Sequence, residues 1–138
     1  GVKEASGNFG KMTESLNVGP KEFLVMLGDD ALTLPLMAIG GRGIISVAGN
    51  EIPAEMAQMV EAAERNDFAA ARAIHARIVP LMSVNFVESN PQPVKYAMAA
   101  MGLLEESFRL PMVPPSAASK DKINEVLKTL GLLKGALV

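Results

Sequence analysis

Lys3 is the one side chain in this sequence whose position suggests nucleophilic chemistry. It sits in Gly1-Val2-Lys3-Glu4, a short run that reads as part of a strand. A lysine near the end of a parallel strand points to one face of the sheet or into the helices. Desolvation there lowers its pKa, and a neutral amine attacks carbonyls. Composition and spacing alone favour the plainer reading, a solvated lysine at a frayed chain end. The other candidates are weaker. Asp29-Asp30 could ligate a metal, but adjacent carboxylates at a helix start read as caps. His75, the only histidine, shares a helical line with Phe68, Ala71, Ile78 and Met82 and reads as a packed helix margin. Gly40-Gly41-Arg42-Gly43 could cradle phosphate, yet a helix stop and tight turn explain it. The methionines fall on apolar helix faces as core filler, and Lys95, Lys120 and Lys122 read as solvated.

Positioning these residues requires a sheet. Phe23-Leu24-Val25-Met26-Leu27 and Ile44-Ile45-Ser46-Val47 are apolar runs rich in β-branched residues and bounded by glycine, as strands buried on both faces are. Between them a helix over roughly 30–39 starts at Asp29 or Asp30, bends at Pro35 and stops at Gly40. Strand, helix, strand with short connections predicts parallel strands. Asn8 caps an earlier helix carrying Phe9, Met12 and Leu16, which ends at Asn17, Gly19 and Pro20. The front half therefore reads β-α-β-α-β, with strands near 1–4, 22–27 and 43–47. Ligands of such sheets bind at the carboxyl ends of the strands, which places Lys3–Ser6, Gly28–Asp30 and Ala48–Asn50 on one side and the Gly40–Gly43 cluster on the other.

After Asn50 only helices are expected. One starts at Pro53 with Met56, Met59, Val60 and Ala63 on its apolar face. A long one is capped by Asp67 and kinked at Pro80. Another follows Asn90-Pro91 and ends at Gly102, and the last runs through Ile123, Val126, Leu127 and Leu130 to Gly131. Arg109–Pro115, with three prolines, is expected to be extended. The division is thus a strand-bearing part, residues 1–65, and a helical region, residues 66–138.

Composition limits the function. A chain of 138 residues can bury a core, and 49% apolar residues suit one. A net charge of −2 gives no footprint for nucleic acid. No cysteine means no disulfide and no thiolate metal site. No apolar run reaches membrane-helix length and no signal-peptide pattern opens the chain, so a cytoplasmic protein with no membrane partner is expected. The first residues look like the middle of a strand, as if the chain began inside a larger fold.

Several segments together carry a resemblance. Gly1-Val2-Lys3-Glu4-Ala5-Ser6-Gly7-Asn8 resembles the Schiff-base lysine segment of the dihydrodipicolinate synthase family. Gly28-Asp29-Asp30, Gly40 to Val47, Asn90-Pro91-Gln92-Pro93-Val94-Lys95 and Arg109-Leu110-Pro111-Met112 match it in order and spacing. The resemblance implies an α/β fold: a partial (β/α)8 TIM barrel holding the last three βα units, followed by a C-terminal helical region. It implies a lyase, a pyruvate-dependent class I aldolase that joins pyruvate to aspartate semialdehyde in lysine and diaminopimelate biosynthesis, with no metal or organic cofactor. Lys3 is similar to the lysine that condenses with pyruvate, Ile45 to the residue whose backbone contacts it, and Gly28 to a pocket-lining position. A patch around Phe9, Gly10, Ala38 and Ile39 is similar to a subunit interface, so the expected partners are further copies of the chain or an N-terminal half. The family's proton-relaying tyrosines and aldehyde-binding arginine fall upstream of Gly1, and Tyr96 matches none of them. An inactive isolated chain is therefore expected. The alternatives are a fragment of a related sialic acid or keto-deoxy sugar acid aldolase, and a non-catalytic half-barrel assembly module.

Overall fold

The computed structural model describes residues 1–133; the last residues of the expected helical region, 134–138, lie outside it. The chain forms two compact units, Gly1–Ala76 and a second that begins at Arg77.

The first unit opens with strand β1, Val2–Glu4, and helix α1, Phe9–Val18. Asn8 caps α1 by accepting the Lys11 amide at 3.1 Å, which satisfies one of the donors a helix start leaves open. Met12 is fully buried on α1, whereas Phe9, expected on the same stripe, is 47% exposed. Strand β2 is Val25–Leu27 and pairs in parallel with β1, Val2 opposite Val25, Lys3 opposite Met26 and Glu4 opposite Leu27. It is shorter than the expected 22–27. The Phe23 amide closes a turn onto the Pro20 carbonyl at 2.8 Å, and ladder bonding starts only with Val2 N–H to Leu24 C=O.

The next helix departs further from expectation. A 3-10 turn, Asp30–Leu32, precedes a short α2, Thr33–Ala38. Pro35 lies in the first turn of α2, a position proline tolerates, and its missing N–H affects only the carbonyl of Ala31, four residues before it. Gly40 and Gly41 end α2: Gly41 N–H donates to Leu36 C=O at 2.9 Å and Gly40 N–H to Met37 C=O at 3.2 Å. These are the 6→1 and 5→2 bonds of a Schellman-type stop, and glycine at 40 readily takes the positive φ of +110° found there. A side chain at 41 would also overlap Leu36.

The third expected strand, near 43–47, is reduced to one parallel bridge, Ile44 to Leu27. Two causes act at its ends. Gly43 sits at φ +139°, off the extended conformation. The Val47 and Ala48 amides are drawn away from the ladder by the Asp30 carboxylate and enter a second 3-10 turn, Ala48–Asn50. Helix α3, Pro53–Glu64, starts with proline in its first turn and packs against α2 and that 3-10 turn. Asn66 takes φ +60°, and Asp67 accepts the Ala70 amide at the start of α4, Phe68–Val84, which runs on through Pro80.

The second unit contains the rest of α4, then α5, Gln92–Ala100, and α6, Ala117–Thr129. Helices α5 and α6 pack together, with Val94, Ala97, Ile123 and Leu127 buried. Residues between them, including Arg109–Pro115, form no helix or strand, and Met112 N–H closes a turn onto Arg109 C=O.

Candidate active site

Side chains alternate along a strand, so the register divides this sheet into two faces. Val25 and Leu27 form a core cluster with Met12 of α1 and Leu36 of α2, and Leu16, Leu32 and Ile44 pack against it. Glu4, opposite Leu27, lies on that helix-covered face and is buried. Lys3 is opposite Met26, and the alternation carries Lys3, Met26, Gly28 and Ile45 to the other face. All three of the site residues picked out from sequence thus share a face, at the carboxyl ends of three adjacent parallel segments.

Lys3 and Gly28 are in close approach. A Cβ added at Gly28 would stand 2.8 Å from Lys3 Cε and 2.6 Å from Ala5 Cβ. Gly28 is there for space: its lack of a side chain lets the lysine lie across the end of β2. Its N–H donates to Glu4 C=O at 2.7 Å, which fixes the spacing of the two segments. Ile45 N–H donates to Leu27 C=O at 2.8 Å, and its side chain is 49% exposed. Lys3 is also exposed, so the desolvation expected of a strand lysine is not provided by the described residues.

Carboxylates hold the loops around this face, two of them buried, Glu4 and Asp30. Glu4 accepts the Ser6 amide at 2.9 Å, in the loop after β1. Asp29 accepts the Ala31 amide at 3.1 Å as a local cap. Asp30, expected to cap the same helix, instead reaches across the sheet end and accepts the Val47 and Ala48 amides at 3.0 and 2.8 Å. Sequence reading missed this role. The only signal was the doublet itself, since one cap needs one carboxylate. His75 is not at the sheet end's open face. Its Nε2 meets Ala31 C=O at 3.0 Å. A carbonyl can only accept, so that nitrogen carries the proton. Ala31 is four residues before Pro35, whose missing N–H cannot serve that carbonyl, and the imidazole takes the place. Among the described residues no group of three or more His, Cys, Asp or Glu could hold a metal ion. No helix among them is long and apolar enough to cross a membrane. The Gly40–Arg42 cluster lies at the opposite end, with Arg42 N–H on Val25 C=O.

An amine, a bare glycine and a backbone segment converge at the carboxyl ends of parallel strands in a mixed α/β protein, the end at which sheets of this kind generally bind ligands. The profile of the Dihydrodipicolinate synthetase family matches residues 1–130, and the chain belongs to that family. It is 53% identical over 132 residues to the 4-hydroxy-tetrahydrodipicolinate synthase of Chlorobium chlorochromatii, covering 96% of this chain and 45% of that protein. Among solved structures, dihydrodipicolinate synthase from Aquifex aeolicus superposes with a TM-score of 0.92 at 42% identity, covering 96% of this chain and 46% of that one. The chloride-inhibited dihydrodipicolinate synthase of Acinetobacter baumannii complexed with pyruvate superposes at 0.91 with 32% identity, covering 96% and 46%. The chain therefore spans less than half the length of these relatives. The structural relatives are TIM-barrel enzymes.

Proposed function

We propose that this chain carries the imine-forming part of a pyruvate-dependent lyase of the dihydrodipicolinate synthase kind. The observation that carries the reading is the shared face of Lys3, Gly28 and Ile45, with Lys3 Cε lying where a side chain at 28 would stand. The Lys3 amine attacks the pyruvate ketone, the carbinolamine loses water, and an imine forms. The imine nitrogen then withdraws electrons, so the adjacent methyl loses a proton and becomes a carbon nucleophile towards aspartate semialdehyde. Gly28 leaves room for the adduct, and the backbone at Ile45 faces the pyruvate. The pathway would be lysine and diaminopimelate biosynthesis, with no metal or organic cofactor and a cytoplasmic setting.

The fold reading is a partial TIM barrel of three βα units followed by the helical region. Its exposed apolar residues favour a partner: Val2, Leu24 and Ile45 on or beside the sheet, Phe9 on α1 and Ile39 just past the end of α2. Further copies of the chain or an N-terminal half would cover them. The proton-transferring groups of the family match no residue here, and such groups typically contribute about 10²–10⁴-fold. The polypeptide by itself should therefore form the imine but turn over poorly. A sialic acid or keto-deoxy sugar acid aldolase would share the imine and differ in aldehyde, and a non-catalytic assembly module would form none.

The test is the intact mass of the chain after borohydride reduction with pyruvate. One pyruvate-sized adduct in the wild type, absent in Lys3→Arg, is expected. An adduct unaffected by Lys3→Arg, or none at saturating pyruvate, would overturn the reading.

A further inference from the structure

We propose that Asp30 is a positioning residue for this face: its carboxylate sets where the backbone at Ile45 stands relative to Lys3 and Gly28. The proposal rests on the reading of the site given above, and it goes beyond it by assigning the residue that holds the third segment in place.

The geometry is a bracket. The stretch Leu27–Asp30 grips the segment Ile45–Ala48 at two points. At the first, Leu27 C=O accepts the Ile45 amide at 2.8 Å. At the second, Asp30 Oδ2 accepts both the Val47 and Ala48 amides, at 3.0 and 2.8 Å. The third segment has only one bridge pair to the sheet. Backbone bonds tie it to β2 only as far as Ile45, through Arg42 N–H to Val25 C=O, Leu27 N–H to Gly43 C=O and Ile45 N–H to Leu27 C=O, and beyond Ile45 the Asp30 carboxylate holds the segment. Hydrogen bonds from amides to an ionised acceptor are stronger than neutral ones. Burial adds to the effect: Asp30 is 1% exposed and Ala48 is fully buried, so water cannot replace the lost acceptor.

Asp30 is itself held. Its own backbone carbonyl accepts the Thr33 hydroxyl at 2.7 Å, and Thr33 is fully buried. One residue on, the Ala31 carbonyl is held by His75 from α4. The carboxylate therefore projects from a turn fixed on both sides, and its reach to residues 47 and 48 is a fixed length. Gly28, two residues before Asp30, is tied to Glu4. The position of Ile45 against Lys3 thus follows from one rigid stretch of backbone and one side chain. Its loss would loosen the backbone facing pyruvate without touching the amine.

The experiment compares the wild-type chain with Asp30→Ala and Asp30→Asn. Asparagine keeps an acceptor for the two amides but places an N–H2 where Asp30 Oδ1 is buried with no partner among the described residues. Two readouts are taken. Amide hydrogen exchange reads the bracket directly. D30A should speed exchange at Ile45, Val47 and Ala48 by about tenfold or more, while Gly28 and the β1–β2 amides keep their protection. The pyruvate dependence of borohydride trapping reads the consequence. D30A should raise half-saturating pyruvate about tenfold with the maximal trapping rate within about twofold, and D30N should lie between. If D30A does not fold, D30N makes the same comparison with smaller changes confined to the same amides. A folded D30A with wild-type protection at 45–48, or faster exchange at 45–48 with unchanged half-saturation, would overturn the proposal. So would an equal loss of protection across the whole sheet. Absence of trapping in the wild type would count against the imine reading instead, and the exchange pattern would still decide whether Asp30 holds the segment.

Discussion

The two units use their polar side chains differently. In the first, they bind backbone. Glu4, Asp29 and Asp30 accept amides of three loops, and His75 meets a carbonyl that proline leaves unserved. In the second, polar side chains mostly meet each other or a ring. Lys120 pairs with Glu106 at 2.6 Å and lies 4.8 Å from the centre of the Tyr96 ring. Asn124 donates to the Tyr96 hydroxyl, and Lys95 sits over Phe108. Backbone-directed bonds fix loops, which is what a site at strand ends needs. Side-chain pairs and ring contacts only need to keep helices together. The first unit is built to place a few atoms, and the second to pack.

The largest effect should come from the apolar core beneath the site. Leu36 is fully buried in the cluster with Met12, Val25 and Leu27. Leu36→Ala should cost about 2–5 kcal/mol by removing buried methyls and leaving a cavity. Thermal unfolding with residue-resolved exchange would check it, and losses confined to the second unit would break the comparison. Gly28→Ala comes next. The added methyl meets Ala5 and Lys3, so about 1–3 kcal/mol of overpacking is expected, together with slower trapping of pyruvate. A variant that traps as fast as wild type would show that the glycine is not needed for space.

His75→Ala should cost about 1–2 kcal/mol, because Ala31 C=O loses its partner beside Pro35. Denaturant unfolding measures it, and His75→Gln, which keeps a donor, should recover part of the loss. A loss-free His75→Ala would mean that water serves the carbonyl equally well.

The smallest effect lies in the second unit. Hydrogen bonds from Ser119, then from the Ser116 hydroxyl and amide, hold the Glu88 carboxyl below its ordinary value near 4.5. A depressed acid stabilises the fold above its unfolded pKa, and that contribution is lost as pH falls from about 4.5 through the lower folded value. The start of α6, where Ser116 accepts the Ser119 amide, should loosen over that range. Glu88→Gln should remove the pH dependence there, as read by Ser116 and Ser119 amide signals, and leave the first unit's signals unmoved.

Local signals were legible in the sequence. Asn8, Asp67 and the Gly40-Gly41 pair act within a few residues of themselves, and each caps or stops a helix where its type and neighbours predict. The carboxyl-end placement of Lys3 and Gly28 followed from strand order alone, whereas Ile45 entered only through the family resemblance. Interactions across the chain were not legible. The reach of Asp30 over 17 and 18 residues, and of His75 over 44, depends on which elements meet. The third strand failed for the same reason: an apolar run predicts extended backbone, but ladder length is decided by Gly43 and by the amides that Asp30 takes. Phe9 had the right spacing for the α1 stripe and still faces outward, because the stripe's neighbours are set by β2 and α2.

Lys3 of the first unit is the amine proposed to condense with pyruvate, and the lysines of the second unit are not. Peptide-resolved mass spectrometry after reduction with pyruvate compares Lys3 with Lys95 and Lys120 in the same molecule. Adduct on the Lys3 peptide, saturating with pyruvate, is expected, with only a slow, non-saturating background on Lys95 and Lys120. Equal labelling of all three lysines, rising in proportion to pyruvate, would contradict it.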